Sequence, residues 1–283
     1  MTNILQALKN LTENPITDIS ARYQANGRNR ANNMGEALEA YVKDLFCNTF
    51  NIQDETEKNR VYSEQFSYIG NQNNPPDLMI ANGDAIEVKK IESVGSQIAL
   101  NSSYPKDKLY SDSPMITQDC RECENWREKD IIYIVGAMQQ DKLKALWFVY
   151  GDCYAASKDI YERIKSKISE GVNSLPDVEF SETKELGRVN KVDPLGITYL
   201  RIRGMWGIDN PLHVFDYITN IERDSELTIN AIMLTEKYNF FPESDRQAIE
   251  NIALDNFTIS DVEIKSPNNP ARLLNAKLIK FIN

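Results

Sequence analysis

The chain has 283 residues, of which 41% are hydrophobic and 26% charged, and its net charge at neutral pH is −10. No apolar run approaches the roughly 20 residues that a bilayer crossing needs, so a soluble globular protein is expected, one domain with a lobe. The acidic balance argues against a uniformly nucleic-acid-binding surface, because phosphate contacts need local positive potential.

Local distribution weakens that objection. Residues 22–33, RYQANGRNRANN, contain Arg22, Arg28 and Arg30 and no acid, and residues 184–206 carry Lys184, Arg188, Lys191, Arg201 and Arg203 against Glu185 and Asp193. Four cysteines in this length point to reduced thiols in a cytoplasm, not to a disulfide framework. The first residues, MTNILQALKNLTENP, space Ile4, Leu5, Leu8 and Leu11 as a helix and lack a basic leader, which argues against export.

In chain order, a helix is expected from near Asn33 through GEALEAYVKDLF, gathering Leu38, Tyr41, Val42, Leu45 and Phe46 on one face. VYSEQFSYIG, residues 61–70, reads as extended. Residues 77–81 and 84–91 form two strands joined at Asn82 and Gly83, a dipeptide suited to the positive φ angles of a tight hairpin. A polar helix at 117–127 follows, then strands at 131–136 and 144–151 and a helix at 156–169, with Ile160, Ile164 and Ile168 four apart. Further on, ITYLRIRGMW at 197–206 alternates like a strand. These elements predict an α/β fold with a mixed sheet flanked by helices, in two parts at about 30–170 and about 171–283.

The 77–91 hairpin carries the chemistry. A strand's side-chain period of two puts Glu87 and Lys89 on one face and Ile86 and Val88 on the other, and folding about the turn brings Asp77 opposite them. Two carboxylates so placed repel unless a cation lies between them, and hard oxygen ligands suit magnesium. The expected ligands are Asp77, Glu87 and the Val88 carbonyl. Lys89 then lies beside the attacking water or the scissile phosphate, where it offsets developing charge. Glu39, at the edge of the preceding helix's apolar face, is a further candidate ligand, whereas Glu36 points toward solvent.

The proline and aspartate followed by Glu-x-Lys resemble the signature of the PD-(D/E)XK nuclease superfamily. At greater length, GRNRANNMGEALEAYVKDLF, FSYIGNQNNPPDLMIANGDAIEVKKIES, IALNSSYPKDKL, KDIIYIVG, ETKELGRVNKVDPLGITYLRIRGMW and LLNAKLIKF resemble, in order, the NgoPII family of type II restriction endonucleases. The resemblance implies a restriction-endonuclease-like fold and magnesium-dependent cleavage of double-stranded DNA at GGCC, leaving a 5′-phosphate, beside a protecting methyltransferase. Its catalytic residues fall on Asp77, Glu87 and Lys89. A palindromic target implies a homodimer.

For DNA contacts, Arg28 and Arg30 are expected on phosphates, and Asn101, Ser102, Ser103 and Lys106 on phosphates or bases. Arg188, Arg201 and Arg203, with Asn190 and Lys191 between them, make up the DNA-binding segment expected to specify, its arginines meeting guanine. Tyr104, Trp126, Trp147 and Trp206 could stack on bases, with core packing favoured for Trp147. Cys120 and Cys123 form a CxxC without a second pair, too few ligands for structural zinc, and the single His213 disfavours histidine-based nuclease chemistry. A structure-specific or repair nuclease and a non-catalytic DNA-binding regulator are the alternative functions.

Overall fold

The computed structural model describes residues 2–23, 30–71, 74–140, 142–222 and 224–283, with backbone only at 30–33. Helix α1 (Ile4–Glu13) buries Ile4, Leu5, Leu8 and Leu11 in one stripe, and Asn3 caps it by accepting the Leu5 and Gln6 N–H groups. A short α2 (Ile19–Arg22) leads to α3 (Arg30–Cys47), whose Leu38, Tyr41, Val42, Leu45 and Phe46 are buried as the periodicity predicts.

Residues 61–65, expected to be extended, instead close α4 (Glu55–Gln65), and the strand begins only at β1 (Phe66–Asn71). The upstream cap decides this. Asp54 accepts the Thr56 N–H and acidic Glu55 and Glu57 occupy the first turn, so the helix propagates until Tyr62 has buried its ring and donated its hydroxyl to Asp44 at 2.5 Å.

Strands β2 (Asn74–Ile80) and β3 (Ala85–Ile91) form the predicted hairpin, followed by β4 (Ile98–Asn101) and β5 (Lys108–Tyr110). The helix expected at 117–127 is reduced to α5 (Gln118–Glu122), because the chain turns to start β6 (Glu128–Gln139), which is followed by β7 (Lys142–Tyr150). Then come α6 (Gly151–Tyr154), α7 (Lys158–Asn173), β8 (Gly187–Asn190), β9 (Tyr199–Ile202), β10 (Trp206–Ile208), α8 (Pro211–Val214), β11 (Thr228–Leu234), α9 (Thr235–Phe240), α10 (Glu243–Glu250), β12 (Phe257–Ser266) and β13 (Asn269–Ile282). None of the described helices is long and apolar enough to cross a membrane.

The main sheet runs β1-β2-β3-β6-β7-β11-β13-β12, with β5 added to β6. It is mixed: β3 lies parallel to β6 and β7 parallel to β11, and the other neighbours are antiparallel. Its central strands are near-continuous apolar runs, as strands covered on both faces require. Helix α3 packs on β3, and α6 on β6, β7 and β11.

Residues beyond 170 therefore take two roles. The segment 228–282 supplies three strands of the main sheet, whereas β8–β9 and β4–β10 are separate two-stranded sheets. ITYLRIRGMW does not form one strand: β9 ends at Ile202, and Trp206 starts β10 opposite Asn101.

Candidate active site

The β2–β3 turn is a three-residue loop. Ile80 N–H donates to Asp84 O at 2.9 Å and Gly83 N–H to Ile80 O at 2.9 Å. Asn82 alone takes the left-handed conformation, at φ 53°; Gly83 is needed because a Cβ there would meet the Ile80 side chain at 2.9 Å. The neighbours grip this turn on several sides. Asn82 N–H donates to Glu124 Oε2 at 2.8 Å and Lys129 Nζ to Gly83 O at 2.7 Å. Tyr150 donates its hydroxyl to Asp84 Oδ2 at 2.6 Å, and Lys237 Nζ lies 2.6 Å from Asp84 Oδ1 and 2.7 Å from Asp130 Oδ2.

The resulting register pairs Leu78 with Ile86 and Met79 with Ala85, so one step further Asp77 faces Glu87. There a side chain takes over from the ladder: Val88 N–H donates to Asp77 Oδ2 at 2.6 Å. Within a strand the N–H and C=O of one residue point to the same edge, so the Val88 carbonyl is also turned toward β2. Lys89 Nζ lies 2.6 Å from Glu87 Oε1, while Glu87 Oε2 is buried and has no hydrogen-bond partner.

The electrostatics are those of a crowded anionic site. Burial, with Glu87 and Glu39 adding repulsion, pushes the Asp77 carboxyl well above the usual carboxylate range, against the pull of Lys89 and the Val88 N–H. Burial disfavours the Lys89 ammonium, but Glu87 and Asp77 outweigh it and hold its pKa above the ordinary lysine value. Glu39 is pushed up by burial and feels both Lys89 and Glu87 across the α3–β3 packing. An orphaned buried oxygen beside a destabilised carboxyl, with hard oxygen donors only, fits a divalent cation held by Asp77, Glu87 and the Val88 carbonyl. Among the described residues no three acidic, histidine or cysteine side chains cluster as a metal site. Glu39 thus stands outside the Asp77–Glu87 pair.

These residues open on a cleft of about 840 Å³. One side is Asp77, Glu87 and Lys89 with Asn101, Ser102 and Ser103; the other is Thr183, Lys184, Glu185, Arg201, Arg203 and Met205. Pairing of β10 with β4 ties the 184–206 segment to the chain that follows β3. Arg201 and Arg203 reach the cleft, and both are ion-paired to Glu185. Arg188 lies across β8–β9 from Arg201, its guanidinium 4.6 Å from the centre of the Tyr199 ring and its Nε donating to Asn190 Oδ1 at 3.3 Å. Lys191 pairs with Glu179 at 3.1 Å. These three residues stand away from the cleft walls.

Lys106 is buried, 5% exposed, beneath the cleft, where Nζ donates to Ser103 Oγ and, at 3.2 Å, to Tyr104 O. The loop packs that closely because residue 151 is glycine: a Cβ there would lie 2.4 Å from the Lys106 and Asp107 carbonyls. Arg28 falls outside the described residues, and Arg30 is described only as the start of α3. Among the aromatics, Trp147 is buried and stacked on Phe215, Trp126 is partly buried with Nε1 donating to Cys120 O, and Tyr104, Tyr161 and Trp206 form a cluster beside the cleft. Cys120 and Cys123 are free thiols with no metal cluster around them among the described residues. Glu185 drew no attention in the sequence beyond being an acid in a basic stretch.

An Asp–Glu–Lys group with a buried Glu87 between two half-buried partners, on a hairpin of a mixed sheet and opening on a cleft with an arginine-bearing wall, defines a restriction-endonuclease-like nuclease. The NgoPII restriction endonuclease family model matches residues 2–265. The type II restriction enzyme NgoPII of Neisseria gonorrhoeae is 52% identical over 281 residues, covering 99% of each chain. No solved structure matches the chain. The chain belongs to the NgoPII restriction endonuclease family and is a site-specific endonuclease of the type II restriction class.

Proposed function

We propose that this protein hydrolyses phosphodiester bonds of double-stranded DNA with magnesium, at the sequence GGCC, as a homodimer acting in the cytoplasm beside a protecting methyltransferase. The observation that carries the chemistry is the unpartnered, buried Oε2 of Glu87, a residue that lines the cleft together with Asp77 and Lys89. Asp77, Glu87 and the Val88 carbonyl would hold the cation, with Glu39 a further candidate ligand reaching it from α3. Magnesium, when bound, supplies Lewis acidity toward the phosphate and the attacking water. Lys89 remains an ammonium throughout the neutral range and orients the water and offsets charge developing on the phosphate. Asn101, Ser102 and Ser103 line the same side and hold the backbone of the cut strand. Arg201 and Arg203 reach guanine O6 and N7, supported by Arg188, Asn190 and Lys191 on the flank, and Arg28 and Arg30 contact phosphates.

The test is digestion of a plasmid of known sequence with magnesium. Discrete fragments ending at GGCC are expected, and Asp77→Ala, Glu87→Ala and Lys89→Ala should each abolish cutting while calcium still supports DNA binding. Cutting at junctions regardless of sequence would reassign the protein as a structure-specific nuclease, and binding without cutting as a regulator. Wild-type rates in any of the three variants would remove that residue from the catalytic set.

A further inference from the structure

On the cleft wall that faces the catalytic hairpin, one acid sits among basic and small residues. Glu185 lies just before β8, and its backbone is fixed: its N–H donates to Thr183 Oγ1 at 3.2 Å and the next N–H, of Leu186, to Ile202 O at 3.1 Å. Its carboxylate accepts Arg201 Nε at 2.9 Å on one oxygen, and Arg201 Nη2 and Arg203 Nε, each at 2.6 Å, on the other. The Glu185 side chain is 14% exposed, whereas those of Arg201 and Arg203 are 48% and 55% exposed. The carboxylate is therefore covered by the two guanidinium groups, and both arginines line the cleft.

The donor inventory makes this arrangement specific. Arg201 uses Nε and one N–H of Nη2 on Glu185, so Nη1 and the outer N–H of Nη2 remain, the end-on pair that matches guanine O6 and N7. Arg203 spends only its Nε and keeps both terminal nitrogens. Without the carboxylate, two like charges two residues apart would repel, and each long side chain would be free to seek the nearest phosphate.

We propose that Glu185 is a specificity-determining positioning residue, which clamps Arg201 and Arg203 with their outer edges toward base edges and withholds them from phosphates. This rests on the reading above, that the wall contacts DNA. Its consequence is unusual for a charge in a DNA cleft: losing Glu185 should strengthen binding to the wrong DNA.

The experiment measures binding in calcium, across a range of salt, of wild type, Glu185→Ala and Glu185→Asp. The probes are duplexes that contain GGCC, GGCC with one base pair replaced, or no related sequence. Glu185→Ala should bind the unrelated duplex about tenfold more tightly at low salt, with a log–log salt slope steeper by as much as about 2, as two freed cations each meet a phosphate. Its preference for GGCC should fall at least about tenfold, and Glu185→Asp, which restores the carboxylate, should recover part of it. Equal weakening on every duplex with an unchanged slope, or an unchanged preference, would overturn the proposal. A wild type that shows no preference among the duplexes would instead overturn the reading on which it rests. Melting temperatures of the variants separate either result from misfolding.

Discussion

Two lysines near one carboxylate show how closely contact geometry sets charge at the residue scale. Lys89 touches Glu87, and the carboxylates outweigh its burial. Lys106 is buried with only neutral acceptors, Ser103 Oγ and Tyr104 O, and burial pulls it down to about 8 although Glu87 acts in the opposite sense. The first therefore suits charge stabilisation in the cleft and the second suits support of the 101–107 loop. Glu39 is intermediate, pushed up by burial while Lys43 and Lys89 hold it back. On the proposed reading Glu39 supports the cation site from outside the Asp77–Glu87 pair, so Glu39→Gln should raise the magnesium concentration for half-maximal cleavage several-fold and leave folding unchanged. A magnesium titration of the cleavage rate checks this, and an unchanged midpoint would return Glu39 to the helix surface.

The β2–β3 hairpin, as an element, depends on what holds its turn. Asp84 is buried, and its two oxygens are taken by Tyr150 and by Lys237, a residue from α9 distant in sequence that also meets Asp130. Burial disfavours the Lys237 ammonium, but Asp84 and Asp130 raise its pKa overall. Replacing one partner of a buried pair leaves the other charge uncompensated, so Lys237→Met should destabilise the protein by about 3 to 5 kcal/mol. Urea unfolding at neutral pH measures it, and a loss under about 1 kcal/mol would place the pair among weak surface contacts. The same turn sets the register that brings Asp77 to Val88, so cleavage should fall along with stability.

For the whole molecule, stability should vary with pH through groups buried out of their ordinary range. Burial first, and then Asp130, raises Asp152 to about 6 from 3.8. Between those values the folded state binds more protons than the unfolded state, so the stability that Asp152 contributes is greatest below about pH 4 and declines as pH rises to 6. Asp77 contributes with the same sign. Lys106 acts in another window: from about 8 to 10.5 the unfolded state binds more protons, and stability recovers as pH rises. Asp152→Asn should flatten the acid-side decline by on the order of 2 kcal/mol. Denaturant unfolding of wild type and variant at about pH 4.5 and 7 checks this, and parallel profiles would refute it.

Sequence alone determined what local periodicity can determine. The apolar stripes of α1 and α3, the buried strands β6 and β7, and the placement of Asp77 opposite Glu87 and Lys89 follow from a helical repeat, a strand repeat and a short turn, all within about 15 residues of chain. The family likeness was also legible, because it lies in long segments and not in three charged residues. What only the tertiary structure decided involves partners distant in sequence. Periodicity says that a face is buried, not what buries it, so 228–282 could not be read as strands that complete the main sheet rather than as recognition surface. Residues 61–65 close a helix that Asp54 caps nearby in sequence, but the hydroxyl bond that holds Tyr62 there runs to Asp44 on another helix. Lys106 looks like a surface lysine in SSYPKDK; it is buried because Gly151 lets the loop sit against the start of α6. Glu185 and its two arginines are 16 and 18 residues apart in sequence, and they meet only because β8 and β9 pair and because β10, joined to β4, brings that hairpin to the cleft. A side chain's charge belongs to the sequence, but the partner that directs it is chosen by the fold.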